Sequence, residues 1–428
     1  MAGEMTTYRR LRAIIAGSMG NLVEWYDWYA YATTALYFAP VFFPKGDQTA
    51  QLLQAAAVFA VGFFARPLGA WLMGRYSDRY GRKKALKLSV VLMCLGSLVI
   101  AFTPGAATIG VLAPLILVLA RLLQGLALGG EYGASATYMS EMAGKSHRGF
   151  WSSFNYVTLI GGQLAALAVL IATQHSVTAE EMTAWGWRVP FIVGALLAVL
   201  AYYLRSRMEE SQSYEKAKAS GVELGSTRML FKQFPRETFV ILGLTAGGSL
   251  AFYVYTTYMQ KFLTNTGTFT RDQASEISAM TLFFFMVMQP VLGFISDKVG
   301  RKNMLLVAFG VGALITWPVM TSVATATTAS AAFFIIAGAL LVQGCYTSVA
   351  AVVKAELYPA HVRTLGVALP YALANATFGG TAEAVALWFK TQGIESGFYF
   401  YVSAVMAIGF LAVTMMPDTR RDSRITED

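Results

Sequence analysis

The chain has 428 residues, of which 56% are hydrophobic and 13% charged, and its 33 Lys and Arg against 24 Asp and Glu leave a net charge of +9. That balance excludes a soluble globule of this size and points to a multispanning membrane protein. The positive charge does not indicate nucleic acid, because its distribution along the chain follows a membrane topology.

Twelve apolar stretches are long enough to cross about 30 Å of hydrocarbon as helices at about 1.5 Å per residue. They fall at 11–43, 51–74, 85–104, 111–141, 151–173, 187–204, 238–263, 274–295, 303–322, 329–353, 366–388 and 397–416. A β-barrel needs shorter, alternating segments and is excluded. No small-residue cleavage site interrupts the first run, so it is expected to persist as a helix.

The first run contains GNLVEWYDWYAY, from Gly20 to Tyr31, with Glu24 and Asp27 three residues apart and hence on one helix face. An Asp at bilayer depth costs about 2.5–3.5 kcal/mol, so these acids are expected to carry function. In the second run Arg66 beside Pro67 either binds a substrate carboxylate or pairs structurally with an acid such as Glu131. The fourth run holds Arg121 and Gln124. Counted from the membrane faces, Arg121 lies at a depth close to that of the acids, so a pair between Arg121 and Asp27 or Glu24 is expected, loosened by protonation; a fixed structural bridge is the alternative. The remaining intramembrane acid noted is Glu131. Gln163, in the fifth run, and Gln124 are amides able to bond a substrate or a neighbouring helix. Arg188 opens the sixth run within WGWR, where its charge could attract anions.

A polar stretch at 205–237 follows, the longest in the chain. In the seventh run AFYVYTTYMQKF sets Tyr253, Tyr255 and Tyr258 before Lys261 at near-helical spacing, a candidate hydroxyl stripe leading to a cation; interfacial anchoring is the alternative. Lys354 closes the tenth run as a candidate contact for an anion. Of the Lys and Arg, only Lys45, Arg188, Lys261, Arg271 and Lys390 fall on the side opposite the termini, and Arg66, Arg121 and Lys354 lie within spans. The positive-inside rule therefore predicts cytoplasmic termini. Cys94 and Cys345 sit in spans as small apolar residues, and His147, His175 and His361 have no ligand spacing, so no metal is expected.

Marker residues recur at nearly half the chain length, as a duplication requires. GRYSDRYGRKK from Gly74 returns as GFISDKVGRK from Gly293, setting Asp78 against Asp297 at an offset of 219. Gln124-Gly125 returns as Gln343-Gly344 at 219, Glu141 and Arg148 as Glu356 and Arg363 at 215, and Gly161-Gly162 as Gly379-Gly380 at 218. The paired G-x-x-x-D-x-x-G-R-K loops resemble the signature of the major facilitator superfamily over essentially the whole chain. The resemblance implies an all-α integral membrane protein with twelve transmembrane helices in two pseudo-symmetric six-helix bundles and substrate between them. The bundles are expected at 1–204 and 238–428, joined by a cytoplasmic loop at 205–237 and followed by a short cytoplasmic tail. Gly74, Asp78, Gly81, Arg82, Asp297 and Arg301 are the expected gating residues.

FARPLGAWLMGRYSDRYGRKK, RLLQGLALGGEYGASATYMSE and WGWRVPF are similar to the metabolite:proton symporter branch. TTYMQKFL, MCLGSLVIA, NYVTLIGGQL and KAELYPAHVRTLGVAL resemble its carriers of α-ketoglutarate. The resemblance implies α-ketoglutarate as substrate, protons as the co-transported species with no cofactor, and a bacterial inner membrane; citrate or shikimate is the alternative substrate. Cations at several depths independently favour a small carboxylate. A dianion entering a negative-inside cell is opposed by about 2.3 kcal/mol per charge per 100 mV, and co-transported protons offset that. An uncoupled uniporter would need no titratable acid. The chain shows no nucleophile–His arrangement, phosphate loop or soluble module, so no enzyme is expected. The partners expected are substrate and membrane lipid, with no nucleic acid, and a monomer is the expected working unit.

Overall fold

Backbone groups in hydrocarbon have no water to bond, so the apolar runs satisfy themselves as helices. The computed structural model describes residues 7–80, 82–129, 132, 136–137, 140, 147–206, 227–419 and 422–425, with side chains from Asn21 onward except at 74–75, 77–80, 82–83, 85–86, 204–205, 227–229, 360–361 and 364. The membrane helices are α1 (Thr7–Phe42), α2 (Gln48–Tyr80), α3 (Arg82–Phe102), α4 (Leu112–Leu128), α5 (Arg148–Ser176) and α6 (Val189–Ser206). There follow α7 (Pro235–Asn265), α8 (Arg271–Val299), α9 (Arg301–Ala324), α10 (Ala329–Glu356), α11 and α12 (Glu395–Met415). Helix α11 comprises Ala360–Ala374, a π turn at Asn375–Gly379 and Ala382–Thr391, and α7 passes through its own π turn at Val254–Tyr258. Among the described residues eight helices are long and apolar enough to cross a membrane, and Lys87–Phe102 and Leu112–Leu128 are shorter apolar helices.

Two boundaries differ from the sequence reading. Helix α2 continues to Tyr80, so Gly74 and Asp78 lie on its last turns rather than in a loop. Asp297 is likewise on α8, and the true turn is Gly300, whose φ of 100° suits a residue without Cβ.

The pairing of helices repeats between halves: α1 packs on α5, α2 on α4 and α3 on α6, as α7 packs on α11, α8 on α10 and α9 on α12. The seams between the bundles, α5 on α8 and α2 on α11, are related in the same way. Glycine permits the closest approaches. A Cβ on Gly125 of α4 would collide with the Gly62 carbonyl of α2, and one on Gly149 of α5 would lie 2.7 Å from the Gly293 carbonyl of α8.

The bundles meet at both ends. On the side of the termini, Asp297 accepts from the backbone N–H groups of Gly149 at 2.8 Å and Phe150 at 3.0 Å. On the far side, Gln174 of α5 donates to Tyr37 of α1 at 2.6 Å and to Ser275 of α8 at 3.3 Å, and Tyr37 donates to Asp272 at 3.3 Å. The site between them is therefore enclosed.

Candidate transport site

Asp27 is buried on the inner face of α1, and Ser97 of α3 donates to its Oδ1. The Gln124 amide of α4 donates to the Ser97 hydroxyl at 3.0 Å and accepts from Arg121 Nη1 at 2.8 Å. The carboxylate and guanidinium expected to pair directly are thus joined through a hydroxyl and an amide. This corrects the ion-pair expectation: Oδ1 of Asp27 bonds to Ser97 and Nη1 of Arg121 to Gln124, and the two charged groups do not meet directly. Such a chain can pass a change of charge at Asp27 to Arg121 by rearranging neutral groups. Gln124 has both ends of its amide engaged, so its expected role as a substrate ligand does not fit this arrangement. Glu24, one turn before Asp27, is buried as well.

The guanidinium of Arg121 lies 3.8 Å from the Trp28 ring centroid, and that of Arg66 lies 4.0 Å from the same ring and 4.0 Å from Phe63. These aromatic faces hold both cations where, among the described residues, no carboxylate forms an ion pair with either. Arg66 Nε and Nη2 have no hydrogen-bond partner among the described residues. Arg66 lines a central cavity with Trp25, Leu128, Tyr132 and Tyr371. Tyr132 and Tyr371, from opposite halves, stack with centroids 3.5 Å apart at 11°. Lys354 donates to the Tyr132 hydroxyl at 3.2 Å and sits 4.5 Å from the Tyr371 centroid. Two buried cations thus flank one tyrosine stack. The cavity itself is about 20 Å³, room for about one water, so the halves have closed on it. Tyr253 joins this centre, 5.3 Å from the Phe63 centroid and 6.4 Å from that of Tyr29. Gln163 is buried on α5, and its Oε1 has no hydrogen-bond partner among the described residues.

Other expected ligands are committed elsewhere. The π turn at Val254–Tyr258 shifts the helical register and breaks the tyrosine stripe. Tyr255 turns to α9, donating to Thr316 at 3.0 Å, and Tyr258 packs on Phe262 and Phe398. Lys261 is held by Glu383 at 2.5 Å. Arg188 donates to the carbonyls of Ala101 at 2.7 Å and Thr103 at 2.9 Å, so it ties off the end of α3 rather than facing substrate.

Among the expected gating residues, Arg301 lies 3.5 Å from Asp297 and 3.3 Å from Glu356, and Glu356 lies 3.5 Å from Arg148. This cluster joins α5, α8, α9 and α10. The side chains of Asp78 and Arg82, the surroundings of Gly74, and Gly81 and Glu131 entirely, lie outside the described residues.

Sequence reading missed Ser97, Tyr132, Tyr371 and Glu383. The hydroxyls gave no signal, being common in spans, but Glu383 stands in the run 366–388 and the rule that singled out Asp27 applies to it equally. Intramembrane acids therefore do not cluster only in the first helix and at Glu131.

Residues 19–369 match the family model described as Major Facilitator Superfamily. Across 411 residues the chain is 50% identical to the alpha-ketoglutarate permease of Escherichia coli K12, covering 96% of this chain and 94% of the relative. It is 30% identical to the citrate-proton symporter of Salmonella typhi over 412 residues, 94% of this chain and 93% of the relative. The fold is similar to a partially occluded inward open structure of the xylose transporter XylE from E. coli, with a TM-score of 0.71 at 19% identity over 94% of this chain and 96% of the other.

Proposed function

Because the chain belongs to the Major Facilitator Superfamily, we propose that it takes up α-ketoglutarate together with protons, exposing one central site alternately to the two faces of the membrane. It is a membrane transporter and not an enzyme. The observation that carries the coupled reading is the buried chain from Asp27 through Ser97 and Gln124 to Arg121. A proton on Asp27 removes the charge that this chain balances, and Arg121 then settles differently against Trp28 and its neighbours. Coupling follows if the two arrangements favour opposite faces.

Arg66 and Lys354 are the proposed ligands of the two substrate carboxylates, Arg66 through its planar fork and Lys354 as a point charge. Two flanking cations suit a dicarboxylate better than a tricarboxylate, which favours α-ketoglutarate over citrate. Gln163 and Tyr253 are proposed to contact the substrate between them. The crowding of Lys and Arg on one side supports cytoplasmic termini, which puts the Asp297 closure at the cytoplasmic gate and the Tyr37–Gln174 closure at the outer gate. One chain supplies both halves, so the monomer is the proposed working unit.

Uptake of labelled α-ketoglutarate into proteoliposomes under an inward proton gradient tests this. Wild type is expected to accumulate substrate, and Asp27→Asn to retain counterflow while accumulation at one pH unit falls by about tenfold or more. Equal accumulation in both removes Asp27 from coupling, and downhill uptake indifferent to the gradient indicates an uncoupled uniporter.

A further inference from the structure

Helices α7 and α11 carry the π turns at Val254–Tyr258 and Asn375–Gly379, and beyond those turns their outer pieces, Met259–Asn265 and Ala382–Thr391, are fastened to each other. Lys390 donates to the Asn265 carbonyl at 2.8 Å and to the Thr266 hydroxyl at 2.6 Å, near the surface. Lys261 and Glu383 meet at 2.5 Å in the interior, with side chains 1% and 5% exposed. The second oxygen, Glu383 Oε1, is buried and has no hydrogen-bond partner among the described residues. A buried pair kept only to hold two helices is replaceable by apolar packing at little cost. The surface fastening already joins these segments, and a bare carboxylate oxygen at this depth adds a cost that rigidity does not explain.

We propose that Glu383 is a second proton-binding carboxylate, serving the C-terminal half as Asp27 serves the N-terminal half, so that each substrate dianion crosses with two protons. The inference rests on the proton-coupled reading above. A proton from the outer face bonds to Oε1 of Glu383. Lys261 keeps its own proton but loses its counter-charge, so its uncompensated ammonium adds long-range attraction for the dianion that Arg66 and Lys354 hold. Loss of the proton to the cytoplasm restores the pair and removes that attraction. Binding of proton and anion is thereby linked at one pair of side chains, and a dianion with two protons moves without net charge.

The groups facing Glu383 are few. Lys261 and Tyr258 approach from α7 and Tyr31 from α1, while Glu395 and Tyr399 of α12 lie beyond Tyr258. The adjoining stretch of α2, 48–62, contains no titratable side chain. Tyr31 is in electrostatic range of both Glu383 and Arg121, which sets it between the two acid clusters.

The test is the ratio of protons to α-ketoglutarate for the full chain in proteoliposomes. It is read from the pH gradient that balances a known opposing substrate gradient at zero membrane potential. Wild type is expected at two, so that one pH unit supports about 100-fold accumulation, and Glu383→Gln at one, supporting about tenfold, with counterflow retained. The double variant Lys261→Met with Glu383→Gln removes both charges, guards against unfolding by a lone buried ammonium, and is also expected at one. A ratio of one in wild type, or of two in the variants, overturns the proposal. A wild type that moves no α-ketoglutarate overturns the substrate reading and this inference with it, whereas a ratio of two unchanged by both variants overturns the inference alone.

Discussion

Arg66 and Arg121 set identical guanidinium groups over one indole, yet their surroundings give them different work. Arg121 is engaged by Gln124 through Nη1, whereas Arg66 lines the cavity; Nε and Nη2 of both have no hydrogen-bond partner among the described residues. Replacing Arg66 by Lys keeps the charge and loses the fork. The expected effect is a loss of about 1.5–3 kcal/mol of substrate binding, seen in initial-rate uptake as a KM raised by about 10- to 100-fold. Arg188→Met is the contrast: it loses the bonds to Ala101 and Thr103, so thermal denaturation should show a stability loss of about 1–3 kcal/mol while KM stays unchanged. The sequence distinguished these arginines poorly. It marked Asp27, Arg66 and Arg121 because a charge in an apolar run is conspicuous, but it could not assign partners. Ser97 and the tyrosine stack were invisible, because their meaning comes only from which helices adjoin.

The helices themselves were legible from hydropathy, since each apolar run had to fold that way in hydrocarbon. The π turns were not: nothing in the composition of VYTTY announces a wider turn, and that turn sent Tyr255 and Tyr258 away from the centre. The glycines occupy an intermediate case, visible in sequence as repeated Gln-Gly pairs whose purpose appears only in the contact between α4 and α2. Gly125→Val inserts a branched side chain where the Gly62 carbonyl lies. An overpacking cost of about 1–3 kcal/mol or more follows, expected as lower yield and an earlier melting transition of the purified protein. If melting is unchanged, the closeness of α2 and α4 is not a stability determinant.

Across the whole molecule the two seams are related by the repeat, but their closures are chemically unlike. The side of the termini is fastened by Asp297 on the N-terminus of α5 and by the buried Arg148, Arg301 and Glu356 cluster, and the far side by Gln174, Tyr37 and Ser275 with the Asp272 carboxylate and an exposed His175–Glu276 contact at 3.6 Å. The offset near 219 disclosed the repeat but not this asymmetry, because Asp297 finds its partners across the seam rather than along the chain. Asp297→Asn weakens two charge-assisted bonds to a helix N-terminus, about 1–2 kcal/mol together. The conformational equilibrium should shift toward opening at that end. Thiol labelling of a Cys at Ser153, which is buried at this seam, is the measurement, with a rate raised by about fivefold or more. An unchanged rate would mean that the Arg148, Arg301 and Glu356 cluster holds the gate without it.

Trp28, with a proposed substrate ligand over one part of its ring and a proposed coupling group over another, has an optical consequence. Cations against an indole alter its excited state, so any movement of Arg66 or Arg121 is written into its emission. Subtracting the spectrum of a Trp28→Phe protein isolates that signal from the other tryptophans, and the transporter then reports each stage of its cycle without an attached dye.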